Sequence, residues 1–265
     1  MPLVQIIILA IVQGLTEFLP VSSSAHLILA PQFLHWPPQG LAMDVAVHVG
    51  TLGAVVLYFW RDMIRMLKNL PNFLQGKWNG AGSKEILWLI LGTIPAIIVG
   101  LVLSEIGVEK LHSFGILGST SIVYGIFLYG ADKWASSRRT LNMMTYKDSL
   151  WIGFAQALAL VPGTSRSGVC MTMARSLGFN RLEAAKFSFL LSIPAIIAAA
   201  TLTCYKIIQT NQGEIFKDAA LGAAFSLLAG LMAIHFMMRW LKNSSFAPFV
   251  IYRIALGVFL LTLVL

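Results

Sequence analysis

Six apolar stretches set the terms for this chain: roughly Ala42–Trp60, Ile86–Leu103, Phe114–Ala131, Ala184–Tyr205, Ala219–Met238 and Phe246–Leu265. Each is close to the ~20 residues that a helix needs to cross a bilayer's hydrocarbon. Water cannot satisfy backbone polar groups at that depth, so such stretches are read as helices. Composition agrees. The 265 residues are 57% hydrophobic and 11% charged, with mean hydropathy +0.78, against about 25% charged in soluble domains. A chain with so little charge cannot cover itself for water. The expectation is one all-α, polytopic integral membrane domain over 1–265.

The net charge of +8 does not form a nucleic-acid-binding stripe. The basic residues fall in short clusters between apolar stretches: Arg61, Arg65, Lys68, Lys77 and Lys84; Lys133, Arg138, Arg139 and Lys147; Arg175 and Arg181; Arg239 and Lys242. No Lys or Arg precedes Ala42, Lys110 is the only one near Glu105 and Glu109, and around Thr210 Lys206 and Lys217 are offset by Glu214 and Asp218. This is the positive-inside pattern, and it makes the bilayer the partner and excludes nucleic acid. The first cluster reads as a basic loop. Cys170 and Cys204 both lie in apolar runs, so neither a disulfide framework nor a thiolate metal site is expected. The start, MPLVQIIILAIVQG, lacks a basic n-region and a small-residue cleavage site, and is not expected to be a removable signal.

Two polar breaks interrupt this pattern. The first, QGLTEFLPVSSSAH, runs from Gln13 to His26. Pro20 ends one helix there, and Ser22 or Ser23 caps the next. The second, VPGTSRSG, follows the short apolar run Leu150–Val161. Every long stretch runs from a basic to a non-basic side only if both breaks are re-entrant, one from each face. Each pairs an apolar doublet, a proline and a Ser/Thr cluster, preceded by Gln13 or Gln156. Similar elements entering from opposite faces predict an inverted repeat, about 1–131 and 150–265, with a site where the breaks meet. IPAII recurs at Ile94 and Ile193 at unequal distances from the breaks, and is read as coincidence.

The residues that would converge are Glu17, Ser22, Ser23, Ser24 and His26 from one half, with Thr164, Ser165, Arg166 and Ser167 from the other. Ser23 and His26, three apart, share a helical face. That permits a hydroxyl nucleophile with a nearby base, or a histidine acid for a leaving group. Arg166 offers a planar fork of donors for phosphate oxygens, and two helix N-termini add backbone donors. Glu17 suits a divalent cation or the role of base. Together these are the parts of phosphoryl transfer. Simpler roles stand beside them: serines bonding within or between helices, an interhelical His26, a Glu17–Arg166 pair, and Arg253 snorkelling from the last stretch. Asp44 and His48, four apart, are candidates for a supporting role.

At these breaks the chain resembles a known family. QGLTEFLPVSSSAH is similar to the (E/Q)GxTEFLPVSSxxH signature, and PGTSRSG to the PGxSRSxxT signature, of the bacterial undecaprenyl-diphosphatases of the bacitracin-resistance type. The likeness continues through HVGTLGAVVLYFW, AAKFSFLLSIPA and PFVIYRIALG, nearly the whole chain. It implies hydrolysis of undecaprenyl diphosphate to the monophosphate and inorganic phosphate, recycling the lipid carrier of cell-wall synthesis. It implies a magnesium or calcium ion and a multi-pass protein of the bacterial inner membrane, with its site toward the periplasm or outer face. By the same resemblance Glu17 is the essential acid and cation ligand, with Gln13 beside it, and Ser23 is the nucleophile or phosphate ligand. His26 is the acid/base, and Ser165 and Arg166 bind diphosphate, with Ser22, Ser24, Gly163, Thr164 and Ser167 expected as further substrate-binding residues. Attack by Ser23 or by an activated water stays open, as does assembly into a homo-oligomer.

Two positions depart from the signatures: Gln13 carries no charge where the pattern permits Glu, and Cys170 stands where it has Thr. The rival reading is a polyprenyl-phosphate transporter or flippase, which also uses inverted repeats, broken helices and buried charge.

Overall fold

The computed structural model describes residues 1–106, 113–209 and 216–264. Glu109, Lys110, Thr210 and Glu214, which carry part of the charge argument, lie outside them. Eleven α-helices form the described chain: α1 (Leu3–Phe18), α2 (Ser23–Phe33), α3 (Leu41–Tyr58), α4 (Trp60–Leu74), α5 (Ala81–Ile106), α6 (Phe114–Trp134), α7 (Tyr146–Leu158), α8 (Arg166–Ser176), α9 (Arg181–Gln209), α10 (Phe216–Trp240) and α11 (Ala247–Thr262). No β-strand occurs among the described residues; an isolated bridge joins Arg139 to Phe179. Five helices, α3, α5, α6, α9 and α10, are long and apolar enough to cross a membrane. The protein is an all-α, multi-pass membrane protein.

The final apolar stretch forms a shorter helix than expected, the 16 residues of α11. The basic cluster after Trp60 is a larger departure. Its charge suggests a loop, but Trp60–Leu74 is a helix. The apolar residues Trp60, Ile64, Leu67 and Leu74 recur at helical spacing, a signal that the basic residues between them obscured.

Small residues bring the helices together, as expected where apolar side chains gain little by leaving lipid. Gly14 of α1 faces α10, where an added Cβ would lie 2.5 Å from the Cβ of Ala229. Gly153 of α7 meets α5 in the same manner, with the Gly92 carbonyl 2.6 Å from such a Cβ. Gly118 and Gly257 oppose each other where α6 crosses α11. Thus α1 rests on α10 and α7 rests on α5, while α6 and α11 pack on one another.

Phe18, at the end of α1, packs edge-on against Phe189 of α9 at 5.3 Å. Behind α8, Asp132 of α6 joins several elements. Its carboxylate accepts from Arg175 (3.3 Å), Arg181 (2.6 Å) and the Phe246 N–H (3.1 Å). The buried Arg175 also donates to the carbonyls of Ser136 and Phe179. This fixes the C-terminal end of α8, and with it the direction in which its N-terminus points.

Candidate active site

The two breaks have the same local build. After Pro20 the chain turns through Ser22, whose φ is +75°, and after Gly163 through Ser165, whose φ is +71°. Positive φ is uncommon for serine and is retained at functional turns. Both serines earn the conformation as N-caps: Ser22 Oγ accepts from the Ala25 N–H and Ser165 Oγ from the Gly168 N–H. Each also contacts the serine two residues on, Ser24 at 3.2 Å and Ser167 at 3.3 Å. The equivalence of the breaks in the sequence therefore extends to backbone angle and cap. Gly163 is fixed by its φ of +85° and by Leu117, whose carbonyl would sit 2.9 Å from an added Cβ.

Between the breaks lies a cavity of about 490 Å³. Its polar end presents Glu17, Ser23, Ser24, Asp44, His48, Ser165 and Arg166, and the lining from α5, α7 and α9 is mostly apolar apart from Thr93, Gln156 and Thr203. Both copies of IPAII reach it, through Ala96 and Ile97 on α5 and Ala195 and Ile196 on α9. The repeat read as coincidence supplies two walls of one cavity.

Glu17 organises the polar end. One carboxylate oxygen accepts from Arg166 at 3.0 Å; the other accepts from Ser23 Oγ at 2.7 Å and Gln13 Nε2 at 2.9 Å. His48 Nε2 stands 3.9 Å from the second oxygen, while its Nδ1 contacts the Asp44 carbonyl at 2.6 Å. Arg166 is anchored by a 3.0 Å bond to the Ser188 carbonyl, and its buried Nε has no acceptor. The Glu17–Arg166 pair considered from sequence therefore forms, and it joins the two breaks at the cavity's wall. With α2 and α8 both starting at the cavity, the N–H groups of Ser23, Ser24, Arg166 and Ser167, which lie ahead of the capped Ala25 and Gly168, supply anion-binding capacity.

Not every expected residue faces this cavity. His26 is not among its lining residues. Its Nδ1 bonds back to the Ser22 carbonyl at 2.7 Å and its Nε2 meets the Tyr252 hydroxyl of α11 at 2.5 Å. Spacing put His26 on the face of Ser23, but the bond to the preceding turn and the Tyr252 contact take up both ring nitrogens. Ser22, Gly163 and Ser167 shape the turns, Ser167 by a 3.2 Å bond to the Leu19 carbonyl. Thr164 is fully buried, and its hydroxyl has no partner. Cys170 is buried in α8 within the core.

Of the two roles open to Arg253 from sequence, snorkelling or a buried functional charge, the structure shows the second: it is fully buried. Its guanidinium donates to the carbonyls of Gly163 (3.0 Å), Thr164 (2.9 Å), Ser121 (3.2 Å) and Pro20 (3.4 Å). One side chain from α11 thus ties the backbones of both breaks together. Its position inside an apolar stretch was the available signal, since buried charge there is functional by default. Its partners are carbonyls, which sequence does not distinguish. Tyr252 and Gln156, the latter also lining the cavity, were likewise not singled out for the site.

As for a cation, no group of three His, Cys, Asp or Glu able to hold a metal exists among the described residues. The oxygen donors near Glu17 are the Ser23 hydroxyl and Gln13, whose buried Oε1 has no hydrogen-bond partner. One carboxylate with neutral oxygens fits a hard cation such as Mg²⁺, which normally completes its shell with water and substrate phosphate.

The sequence matches the family model described as "Bacitracin resistance protein BacA" over residues 6–259. The chain belongs to this family. It is 46% identical over 264 residues to the undecaprenyl-diphosphatase of Jannaschia sp. (strain CCS1), covering 99% of each chain. It is 44% identical over 262 residues to that of Ruegeria pomeroyi, covering 98% of each, and 45% identical over 259 residues to that of Chromohalobacter salexigens, covering 97% of each. Family membership thus spans both breaks and the α11 helix that joins them.

Proposed function

We propose that this protein hydrolyses undecaprenyl diphosphate to undecaprenyl phosphate and inorganic phosphate, and so recycles the lipid carrier of peptidoglycan synthesis and confers resistance to bacitracin. The observation that carries this reading is the Glu17–Arg166–Ser23 constellation at the polar end of a cavity whose other end is mostly apolar. A lipid diphosphate has the same division. Arg166 and the N-termini of α2 and α8 bind the diphosphate, with Ser165 and Ser24 at the rim. The first isoprene units lie along α5 and α9, and the rest of the tail lies in the bilayer.

Ser23 attacks the terminal phosphorus. Its hydroxyl already points at Glu17, which takes the proton as the Ser23 O–P bond forms. The bond between the terminal phosphorus and the bridging oxygen breaks, and undecaprenyl phosphate leaves. Water then cleaves the phosphoserine and frees inorganic phosphate. Arg166 offsets the charge gathering on the equatorial oxygens, the largest contribution expected in such a site. Glu17 and Gln13 would hold a divalent cation, which when bound neutralises phosphate charge. His26, bonded to Ser22 and Tyr252, holds the turn that presents Ser23.

The charge distribution supports two re-entrant breaks in an inverted repeat, with the cavity opening on the non-basic, outer side, and membership of the family supports placement in the bacterial inner membrane. The test is phosphate release from undecaprenyl diphosphate by purified protein with magnesium, with calcium and with chelator. Turnover that requires a cation and falls ~10²-fold or more in Glu17→Gln and Arg166→Ala is expected. A folded wild-type protein that releases no phosphate overturns the reading.

A further inference from the structure

Helix α4 plays no part in the cavity, yet it has the sharpest division of faces in the molecule. Phe59 separates it from the membrane-crossing α3, and at 15 residues it is too short to cross itself. On one arc it is fixed to the protein. Asp62 accepts from Lys186 of α9 at 2.7 Å and from Arg65, and Arg65 donates a bidentate pair to Glu85 of α5 at 3.0 and 2.6 Å. Asn69 lies against Gly80 and Gly82 at the start of α5.

On the opposite arc, Trp60, Ile64, Leu67 and Leu74 are exposed, from 41% for Ile64 to 76% for Leu74. Beside that stripe stand the exposed cations Arg61 and Lys68, and beyond the helix Lys77 and Lys84. None of these four forms an ion pair with a carboxylate among the described residues: the acidic neighbours Asp62 and Glu85 are taken by Arg65 and Lys186. Arg61 sits over the Trp60 ring at 5.3 Å. At the far end Trp78 is half exposed, with its indole N–H held by the Phe73 carbonyl at 3.1 Å.

A helix with one face anchored, an apolar stripe, a basic flank and tryptophans at both ends matches a bilayer's interfacial layer. We propose that α4 lies flat in that layer on the basic side of the membrane and binds anionic phospholipid. Trp60, Ile64, Leu67 and Leu74 enter the acyl boundary, while Arg61 and Lys68 meet lipid phosphates. Anionic lipid is the occupant because the unpaired charges beside the stripe, Arg61, Lys68, Lys77 and Lys84, are all positive, and both nearby acids are consumed within the protein. Such a helix sets the depth of α5 and α9, to which Arg65 and Asp62 fasten it.

The test uses the full chain reconstituted in phosphatidylcholine nanodiscs with and without phosphatidylglycerol, comparing wild type, Trp60→Phe, Leu67→Gln and the Arg61→Gln/Lys68→Gln double variant. Lipids brominated near the glycerol backbone should quench a fluorescence component that Trp60→Phe removes; bromines deep in the chain should quench it less. Native mass spectrometry should show wild type retaining phosphatidylglycerol over phosphatidylcholine. The double variant should lose that preference by roughly fivefold per charge removed, and Leu67→Gln should weaken shallow quenching. Phosphate release in phosphatidylcholine should persist in all variants, since no altered residue touches the cavity. A Trp60 component insensitive to shallow bromines, or an unchanged lipid preference in the active double variant, overturns the proposal.

Discussion

Glu17 and Arg166 lie 149 positions apart in the chain and 3.0 Å apart in space. Their pairing links the first break to the second at the wall of one cavity. The carboxylate is satisfied on both oxygens, by Arg166 on one side and by Ser23 and Gln13 on the other. The arginine keeps donors in reserve. Removing either member leaves the other buried charge unpaired, which is costly.

Arg166→Lys tests the fork of donors. A lysine keeps the charge but cannot serve Ser188, Glu17 and a phosphate from one planar group. Phosphate release is expected to fall ~10²-fold or more. Near-wild-type turnover would show that charge alone suffices.

His26→Ala and Tyr252→Phe test the placement of His26. Loss of a hydrogen bond that holds a turn costs about 0.5–1.5 kcal/mol, so turnover should fall by no more than about tenfold, with an unchanged pH profile. A general acid or base would cost ~10²–10⁴-fold and remove a limb of the pH–rate curve. That result would return His26 to the chemistry.

Arg253→Met removes the donor shared by Pro20, Gly163, Thr164 and Ser121. Buried carbonyls without partners cost about 1–3 kcal/mol each, so thermal stability and turnover should both drop. Arg253→Lys, which can reach fewer of them, should fall between. An unaltered melting temperature in Arg253→Met would contradict the clamp.

Gln13→Glu adds a carboxylate beside Glu17. If the two residues hold the cation, the concentration needed for half-maximal phosphate release should fall by roughly an order of magnitude, since ligand charge tunes affinity. An unchanged requirement would place the cation elsewhere.

Asp148 supplies a pH test away from the cavity. Burial pushes its carboxyl up, but hydrogen bonds from Arg139 and Thr145 outweigh this and hold it below the ordinary carboxylate value. With a depressed folded-state pKa, its contribution is present at neutral pH and above. It fades as pH drops below about 4, through the folded value. Asp148→Asn should therefore lower stability at pH 7 and narrow the gap to wild type under acid, as read by thermal melts across pH.

The sequence by itself determined the class of solvent, five of the six expected long apolar helices, and the two breaks, with a serine cap at the first. These rest on local facts: hydropathy, proline, and side chains that cap their own helix. It also brought Glu17, Ser23 and Arg166 forward, because charge in an apolar stretch needs a reason. Only the tertiary structure decided which candidates meet. His26 turned to Tyr252, Arg253 went inward to gather carbonyls from both breaks, and the two copies of IPAII came to line one cavity. The run Trp60–Leu74, read as a loop, became a helix fastened by Asp62 and Arg65. The turn of His26 depends on a partner 226 positions away and the burial of Arg253 on backbone carbonyls, and the meeting of the IPAII copies depends on the packing of α5 against α9. These leave no mark in local pattern, so the fold had to supply them; helix α4 did leave one, the helical spacing of its apolar residues, which the interleaved basic residues obscured.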